Sequence, residues 1–367
     1  MPPMNILIKP ASGLCNLQCD YCFYCDESAK RAQASYGFMS EETLRNIIRK
    51  TIGHAEGSIT YAFQGGEPTL CGIPFFKKAV ELQKQYNRNH IEVRNTLQTN
   101  GYLIDEAWCE FLKENHFLVG LSVDGVEETH DCFRHTKEGK PTYQRIEQAA
   151  EQMDAYGIDY NILTVVHKKV AHRIEEIYRD YRRHRWEYQQ YIACLEPLGE
   201  GHGKTAYGLT PKEYGEFLIR LFDLWYEDWE KGRAPHIRRL ENYFQILTGT
   251  VPESCEQMGH CGSQIVAEAD GSAYPCDFYA LDAYCLGNFN TDRLGDLELE
   301  RKRIGFQERS RNISDKCREC KFYFICRSGC HRNREYHAEA GGYENYFCEG
   351  YRMFFEKRLE IMDRMVR

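Results

Sequence analysis

Three cysteines near the start of the chain have a spacing that can hold a metal cluster. Cys15, Cys19 and Cys22 form a Cys-x3-Cys-x2-Cys set directly after an apolar segment, residues 6–12. Thiolates are soft ligands that suit zinc or iron–sulfur clusters. A cubane with three cysteine ligands keeps one iron open to bind and polarise a substrate, as an open position does in catalytic zinc sites. Ligation by Cys25 as well would give zinc or a closed cluster, and the spacing leaves both interpretations open.

A second group of cysteines lies in the last third of the chain. It comprises Cys255, Cys261, Cys276, Cys317, Cys320, Cys326, Cys330 and Cys348. Eight thiols make two complete sets of four, and a cluster with four cysteine ligands has no open iron, so we expect electron transfer from it rather than substrate binding. A zinc ribbon is the alternative for the Cys-x2-Cys pair. The sequence alone does not divide the eight into two sets.

The composition predicts a cytoplasmic protein whose thiols stay reduced. The chain has 367 residues, 17 cysteines and a net charge of −8. An odd number of cysteines without an export signal is not the pattern of a disulfide framework. The negative charge argues against a nucleic-acid partner bound through a basic footprint. No apolar run approaches the length of a membrane span, so we expect no membrane partner either.

Alternating strands and helices must position the first cysteines. The first half of the chain contains six β–α units with short links, an order that predicts parallel strands with helical crossovers. An open or partial barrel is favoured over a doubly wound sheet. The pattern changes later in the chain, and we predict one domain over residues 1–235, including linking helices, and a cysteine-rich domain with a C-terminal helix over residues 236–367.

Local signals mark several element ends. Ser40 is a predicted N-cap of a helix over residues 40–52. Thr210 and Glu213 form a predicted capping box, with Pro211 at the first helical position. A hairpin is predicted to turn at Asp270-Gly271, and the last helix is predicted over residues 351–365.

Four polar motifs lie where predicted parallel strands end. The cysteine loop follows the first strand, and residues 64–68 (QGGEP), 98–101 (QTNG) and 122–125 (SVDG) follow the next three. Parallel α/β folds place their chemistry at the carboxyl ends of strands. We therefore expect these motifs to lie around one active site.

Two of these motifs together resemble the radical S-adenosylmethionine (AdoMet) superfamily. They are the cysteine loop, with Tyr21 before its third cysteine, and the QGGEP segment after the second strand. The resemblance implies an α/β fold with a partial (β/α)6 barrel and a 4Fe-4S cluster on Cys15, Cys19 and Cys22. It also implies reductive cleavage of AdoMet to a 5′-deoxyadenosyl radical, with the protein orienting the cofactor and excluding water.

The same resemblance implies which residues lie around AdoMet. Positions that contact the cofactor match Tyr21, Gly66, Ser122, Arg134 and Leu195, and Gln64, Gly65, Glu67 and Asp124 are expected neighbours. A glycine lets backbone approach a ligand closely, and an arginine suits a carboxylate. A plain glycine turn, and helix caps at Ser122 and Asp124, are the structural alternatives.

The C-terminal cysteine pattern resembles the SPASM extension of peptide-modifying radical AdoMet enzymes. That extension carries two auxiliary 4Fe-4S clusters, so the resemblance implies three clusters in all. It implies one auxiliary cluster on Cys255, Cys261, Cys276 and Cys330. It implies the other on Cys317, Cys320, Cys326 and Cys348.

Segments along nearly the whole chain resemble the anaerobic sulfatase-maturating enzymes. They are KPASGLCNLQCDYCFY, FQGGEPTL, LQTNG, FLVGLSVDG, YPCDFY and FDLWYEDW. The resemblance implies oxidation of a cysteine or serine of a sulfatase, met unfolded or as an extended peptide, to Cα-formylglycine. It implies Asp277 as the base, auxiliary clusters that accept the surplus electron, and a flavodoxin- or ferredoxin-type electron donor.

Two alternatives to this function remain at the level of sequence. One is another SPASM peptide maturase that forms thioether or carbon–carbon cross-links in a small peptide. The other is a non-enzymatic iron–sulfur electron carrier, which would leave the motifs at the strand ends unexplained. Without the resemblance, Asp277 would be interpreted as a loop aspartate that bonds its own backbone.

Overall fold

Strands and helices alternate through the first half of the chain in the computed structural model, which describes residues 3–367. The strands are β1 (Met4–Ile8), β2 (Leu17–Cys19), β3 (Ser58–Phe63), β4 (Glu92–Thr99), β5 (Leu118–Ser122), β6 (Arg134–Thr136), β7 (Tyr160–Val166), β8 (Tyr188–Ala193), β9 (His236–Ile237), β10 (Ile265–Ala267), β11 (Ser272–Tyr274), β12 (Gly287–Asn288), β13 (Arg334–His337) and β14 (Gly342–Asn345). The 3-10 helices are Pro68–Cys71, Asp277–Tyr279, Asp282–Tyr284 and His331–Asn333.

The α-helices connect these strands and dominate the rest of the chain. They are α1 (Phe23–Ala29), α2 (Glu41–Ile52), α3 (Gly72–Tyr86), α4 (Glu106–Glu114), α5 (Glu127–His130), α6 (Tyr143–Tyr156), α7 (Lys168–His172), α8 (Ile174–Arg183), α9 (Pro211–Glu230), α10 (Arg238–Leu247), α11 (Cys255–Met258), α12 (Leu294–Arg303), α13 (Phe306–Ser310), α14 (Asp315–Arg318), α15 (Tyr323–Cys326) and α16 (Cys348–Val366). No helix within residues 3–367 is long and apolar enough to cross a membrane.

The chain folds as two compact units, of which the first contains the cysteine loop. This unit comprises Met1–Ser122, Arg134–Asn161 and Ser263–Gly305. Its main sheet has the strand order β12-β11-β10-β1-β3-β4-β5. The strands from β10 to β5 run parallel, and β11 and β12 are antiparallel additions. The predicted hairpin at Asp270-Gly271 is confirmed. Its first strand, β10, pairs with β1, and its second strand, β11, pairs with β10.

The carboxyl end of β1 is set by its sequence. The apolar run predicts a strand over residues 6–12, but β1 spans Met4–Ile8. Pro10 has no backbone N–H to donate to a neighbouring strand, so the ladder ends before it. Because β1 ends at Ile8, the residues after it are available to form the loop that carries Cys15.

The predicted Ser40 cap of a helix in the first unit is confirmed, and a glycine ends another helix of this unit. The Ser40 side chain accepts a hydrogen bond from the Thr43 backbone N–H at the start of α2. Gly157 ends α6 in the left-handed conformation that favours glycine. Aromatic side chains fill the space under the helices. The centre of the Phe76 ring lies 5.0 Å from the centre of the Phe63 ring and 5.3 Å from the centre of the Trp108 ring. These contacts fix the helices that connect the parallel strands.

A small antiparallel ribbon in the first unit is absent from the sequence prediction. β2 pairs with β6, and Cys19 lies opposite Arg134 in this pairing. Each of the two strands has three residues, which is too short for the alternating apolar pattern that reveals a strand in sequence. The ribbon brings Arg134 to the cysteine loop.

The second unit comprises Val123–Phe133, Ile162–Gly262 and Phe306–Arg367. Its strands β7, β8 and β9 are parallel, and β13 and β14 form a hairpin. The predicted capping box of Thr210 and Glu213 is confirmed at the start of α9. Helix α16 approaches α9 so closely at Gly350 that a Cβ there would lie 2.2 Å from the Pro211 carbonyl oxygen.

The unit bounds do not coincide with the expected division at residues 235 and 236. The segment Ser263–Gly305 belongs to the first unit, since β10 pairs with β1, while Ile162–Gly262 belongs to the second. A division by contacts need not follow a division into sequence domains, so the domain boundary stays a prediction.

Candidate active site

The first three cysteines lie close together with Cys25. Backbone turns link Cys22 N–H to the Cys19 carbonyl and Cys25 N–H to the Cys22 carbonyl, each at 3.1 Å. A hydrogen bond from the Cys25 thiol lowers the pKa of Cys22 to about 6 despite its burial. That bond also raises the pKa of Cys25, as do burial and the charges of Cys22, Cys15 and Cys19. The charges of all three predicted ligands thus act on Cys25, and the charge of Cys22 acts on Cys15, so the thiols lie near one another.

The glycine turn after β3 lies directly against the cysteine loop. Gly66 has a φ of +56°, and a Cβ there would lie 2.2 Å from the Leu14 carbonyl oxygen. The Glu67 backbone N–H donates to that same oxygen at 2.8 Å. Gly65 has a φ of +94°, and a Cβ there would lie 2.7 Å from the Lys9 side chain. Both glycines are therefore required by protein contacts, and Gly66 ties the turn to the residue before Cys15.

Glu67 organises the ends of two neighbouring strands. Its side chain is buried, and one carboxylate oxygen accepts from the Thr69 and Thr99 hydroxyls at 2.6 and 2.7 Å. The other oxygen accepts from the Asn100 backbone N–H at 2.7 Å. Burial raises the pKa of Glu67, while these donors lower it. The carboxylate thus fixes the QTNG motif beside the QGGEP turn.

Arg134 lies over the cysteine loop. Its guanidinium carbon is 5.5 Å from the centre of the Tyr21 ring, and a guanidinium nitrogen is 4.0 Å from the Cys19 sulfur. Arg134 and Tyr21 are both buried. A buried guanidinium beside a cluster ligand is suited to bind a carboxylate in a bidentate manner. This is the chemistry expected for the amino-acid end of AdoMet.

The remaining predicted cofactor neighbours are divided between the two units. In the first, Ser122 ends β5 and its hydroxyl accepts from the Gln98 side chain at 3.2 Å. In the second, a buried oxygen of Asp124 accepts from the Val165 backbone N–H at 2.9 Å. Leu195 follows β8. The carboxylate of the next residue, Glu196, accepts a hydrogen bond from the Thr205 backbone N–H at 3.0 Å and so joins the two ends of the loop between them. The cofactor contacts of Ser122, Asp124 and Leu195 stay predictions.

Asp277 is a buried carboxylate, and one of its two oxygens accepts hydrogen bonds from the protein. Its Oδ2 accepts from the Tyr24 hydroxyl at 2.6 Å and from the Gln64 amide at 2.9 Å. Its Oδ1 is buried and has no hydrogen-bond partner among residues 3–367. Burial raises the pKa of Asp277, against the lowering effect of Lys9 and of the two donors. An oriented carboxylate with a vacant acceptor is arranged to receive a proton from a bound group.

Charged side chains lie buried behind Asp277. Lys9 is 1% exposed, and its ammonium lies 3.3 Å from Glu268 and 4.8 Å from the centre of the Tyr24 ring. Arg31 forms a second ion pair with Glu268 at 2.7 Å. Glu27 is also buried, and burial raises its pKa to about 8. Lys9 thus contacts the ring of Tyr24, whose hydroxyl donates to Asp277.

The auxiliary cysteines of the second unit form two groups. Burial and the thiolates of Cys348, Cys317 and Cys320 raise the pKa of Cys326 to about 12, so these four lie together. Cys255, Cys261 and Cys330 form the other group, because the charges of the first two act on the third. The assignment of each group to one cluster stays a prediction. Cys276 belongs to the first unit, and its place in the second group stays a prediction.

Arg334 binds the loops that carry these cysteines. Its guanidinium is buried and donates to the carbonyls of Gly329 at 2.5 Å, Ser310 at 2.6 Å, Ser328 at 2.9 Å and Gly259 at 3.0 Å. Gly259 lies two residues before Cys261, Ser328 and Gly329 directly precede Cys330, and the Ser310 hydroxyl accepts from the Cys261 backbone N–H at 2.9 Å. Arg334 is not among the residues predicted from the sequence, because one arginine among many gives no signal of distant acceptors.

The donor sets fit iron–sulfur clusters by their chemistry. Each group consists of thiols, the soft ligands that such clusters require. Within residues 3–367, no three Cys, His, Asp or Glu side chains converge on a point that a single metal ion would occupy. A cubane presents its irons at separate corners, so its thiolates lie around a volume rather than a point. Cys15, Cys19 and Cys22 would hold the cluster that Arg134 overlies.

The chain is similar to enzymes of known class. A family model of the radical SAM superfamily matches residues 10–181, and one of an iron–sulfur cluster-binding domain, SPASM, matches residues 255–321. The cysteine-type anaerobic sulfatase-maturating enzyme of Clostridium perfringens is 42% identical over 97% of this chain and 96% of its own. The serine-type enzyme of Bacteroides thetaiotaomicron is 31% identical over 99% and 91%. A solved structure, native anSMEcpe with bound AdoMet and Cp18Cys peptide, matches with a TM-score of 0.94 and 41% identity over 100% and 99% of the two chains.

Proposed function

This chain belongs to the anaerobic sulfatase-maturating enzymes of the radical SAM superfamily, and we propose that it oxidises a sulfatase cysteine to Cα-formylglycine. The family, the fold class and the enzymatic nature predicted from the motifs are thereby confirmed. The cofactors of this class are AdoMet and 4Fe-4S clusters. The observation that carries the proposal is Asp277, a buried carboxylate with a vacant oxygen on the residue after Cys276.

The side chains of the first unit supply the binding groups that this cofactor pair requires. Cys15, Cys19 and Cys22 hold the cluster, and Arg134 offers a guanidinium for the AdoMet carboxylate. Gly66 keeps the QGGEP backbone against Leu14, next to the first of those cysteines. When bound, the cluster and AdoMet supply a carbon-centred radical that removes one hydrogen atom from the substrate Cβ.

The protein must then remove a proton and an electron from the substrate. Asp277 takes the thiol proton on Oδ1, while Tyr24 and Gln64 hold Oδ2 in place. The surplus electron would leave through the clusters that the auxiliary cysteines would hold. The substrate loses a hydrogen atom, a proton and an electron, which leaves a carbon–sulfur double bond. Water hydrolyses this bond to the aldehyde and releases hydrogen sulfide.

Cysteine is the proposed target because of the degree of similarity to the relatives. The chain is 42% identical to a relative named cysteine-type and 31% identical to one named serine-type. The substrate polypeptide enters unfolded or as an extended peptide, which exposes the target residue to the buried Asp277. A flavodoxin- or ferredoxin-type protein supplies the electron that reduces the cluster.

Membership of this family argues against both alternatives drawn from the sequence. A cross-linking peptide maturase would share the clusters, but the identity to sulfatase-maturating enzymes extends over 97% of the chain. A simple electron carrier would need neither the vacant acceptor of Asp277 nor Arg134 over the cysteine loop.

Replacement of Asp277 by asparagine tests the proposed base. The Asp277→Asn variant keeps the shape of the side chain but accepts a proton far less readily, so we expect 5′-deoxyadenosine without aldehyde product. The matched control is Asp282→Asn, an exposed aspartate five positions later that accepts from the Ala32 backbone N–H. The control should form both products at the wild-type rate. Full aldehyde formation by Asp277→Asn would refute the assignment.

A further inference from the structure

Asn100 presents an amide group to a cluster ligand. It follows β4 in the QTNG motif and is 7% exposed. Its Nδ2 lies 3.6 Å from the Cys15 sulfur and 2.9 Å from the Asn16 side-chain oxygen. The Leu17 backbone N–H approaches the same sulfur at 3.4 Å. Cys15 therefore has two N–H donors from the protein, and one of them is a side chain.

The protein fixes which end of the Asn100 amide faces the sulfur. Its Oδ1 accepts from the Tyr102 backbone N–H at 3.0 Å. A flipped amide would place an NH2 group against that donor, so the nitrogen must lie on the side of Cys15. The Asn100 backbone N–H is held in turn by Glu67 at 2.7 Å. The QGGEP carboxylate thus orients the QTNG amide.

We propose that Asn100 is a positioning residue that stabilises the reduced form of the AdoMet-binding cluster through a hydrogen bond to the Cys15 sulfur. The inference rests on the proposed function only in placing a cluster iron on Cys15. Reduction adds one electron to the cluster, with no bond made or broken, and increases the negative charge on its sulfurs. An N–H donor stabilises that added charge, and hydrogen bonds to the sulfurs are among the factors that set cluster potentials.

The size of the effect follows from the strength of one neutral hydrogen bond. A net contribution of about 0.5–1.5 kcal/mol corresponds to roughly a two- to tenfold change in an equilibrium constant. A tenfold change is about 59 mV for a one-electron couple. Loss of the Asn100 donor should therefore move the midpoint potential to more negative values, by up to about 59 mV.

The test is an anaerobic redox titration of the reconstituted holoenzyme followed by electron paramagnetic resonance. The signal to follow is the reduced-cluster component that changes when AdoMet is added, which separates it from the auxiliary clusters. Asn100→Ala should shift its midpoint negatively. Asn100→Asp, which has the same shape, should shift it further because a carboxylate adds negative charge. The control is Asn95→Ala on β4, the strand that precedes Asn100, where the Asn95 amide pairs with Gln83 at 2.8 and 2.9 Å; the midpoint potential of this variant should be unchanged.

Each outcome decides the matter. A negative shift in both Asn100 variants, with wild-type iron content, supports the inference. An unchanged or positive midpoint in Asn100→Ala would overturn it, and Asn100→Leu, which has a similar size and no donor, carries the test if Asn100→Ala loads iron poorly. Absence of any AdoMet-sensitive signal in the wild-type holoenzyme would instead contradict the proposed function.

Discussion

Replacement of Arg334 by alanine is expected to loosen the loops that carry the auxiliary cysteines. The Arg334 guanidinium donates to four carbonyls within 3.0 Å, on Gly259, Ser310, Ser328 and Gly329. Alanine removes all of these donors at once and leaves the acceptors in a buried space. Water can satisfy part of them, but a small cavity does not offer the planar geometry of a guanidinium.

The cost follows from the count of stranded acceptors. Each buried acceptor left without a donor costs about 1–3 kcal/mol, or about 4–12 kcal/mol for all four, and water that enters the space recovers a large part of this cost. We expect Arg334→Ala to lose about 3–5 kcal/mol of unfolding free energy, which lowers the unfolding temperature by roughly 10 °C. Arg334→Lys should lie between, because an ammonium has three donors and no planar fork.

Anaerobic thermal unfolding of the cluster-loaded protein measures this effect. Circular dichroism follows the fold, and bleaching of the cluster absorbance follows the cysteine loops. The control is Arg352→Ala, an exposed side chain that forms an ion pair with Glu356 at 3.7 Å; it should change stability by no more than about 0.5 kcal/mol. An Arg334→Ala protein that unfolds at the wild-type temperature with full iron content would refute the reasoning.

Four further substitutions have definite expected outcomes. Gly66→Ala should abolish AdoMet binding, measured by equilibrium dialysis, because its Cβ would lie 2.2 Å from the Leu14 carbonyl oxygen; wild-type affinity would contradict this. Gly350→Ala should destabilise the α9–α16 contact by about 1–3 kcal/mol in a denaturant titration, and a neutral effect would show that the helices separate freely. Thr210→Ala should cost about 1 kcal/mol in the same titration through loss of the α9 cap, with no change in iron content. Cys25→Ser should retain the AdoMet-induced change in the cluster's paramagnetic signal, whereas its loss would make Cys25 a fourth ligand.

Much of the fold was predictable because its signals are local. The Ser40 cap, the Thr210 capping box and the hairpin at Asp270-Gly271 depend on a few adjacent residues, and the structure confirms all three. The predicted end of β1 at residue 12 is wrong, because Pro10 has no backbone N–H and the strand ends at Ile8. The last helix begins at Cys348, three residues before the predicted start.

The candidate site was predictable in its residue types but not in its contacts. Resemblance supplied Asp277, yet its bonds to Tyr24 and Gln64 join segments far apart in sequence. The glycines of QGGEP were expected to admit a ligand, and they are also needed by Leu14 and Lys9. Such long-range contacts leave no periodic pattern, and so only coordinates reveal them.

The division of the eight auxiliary cysteines into two ligand sets could not be predicted from their spacing. Eight thiols allow many divisions into two sets of four, and spacing does not choose among them. The structure brings Cys317, Cys320, Cys326 and Cys348 together by folding two distant segments of the second unit. A hydrogen-bonded arginine, Arg334, holds the loops of the other group.

The measurement that tests the central claim most directly is a single anaerobic reaction. The reconstituted enzyme is given AdoMet, a reductant and a synthetic peptide with the sequence Cys-x-Pro-x-Arg, beside a second peptide with serine in place of cysteine. Peptide mass and 5′-deoxyadenosine are read together. We predict that the cysteine peptide becomes the aldehyde with a matching amount of 5′-deoxyadenosine, and faster than the serine peptide. 5′-Deoxyadenosine without any change in either peptide would contradict sulfatase maturation by this enzyme.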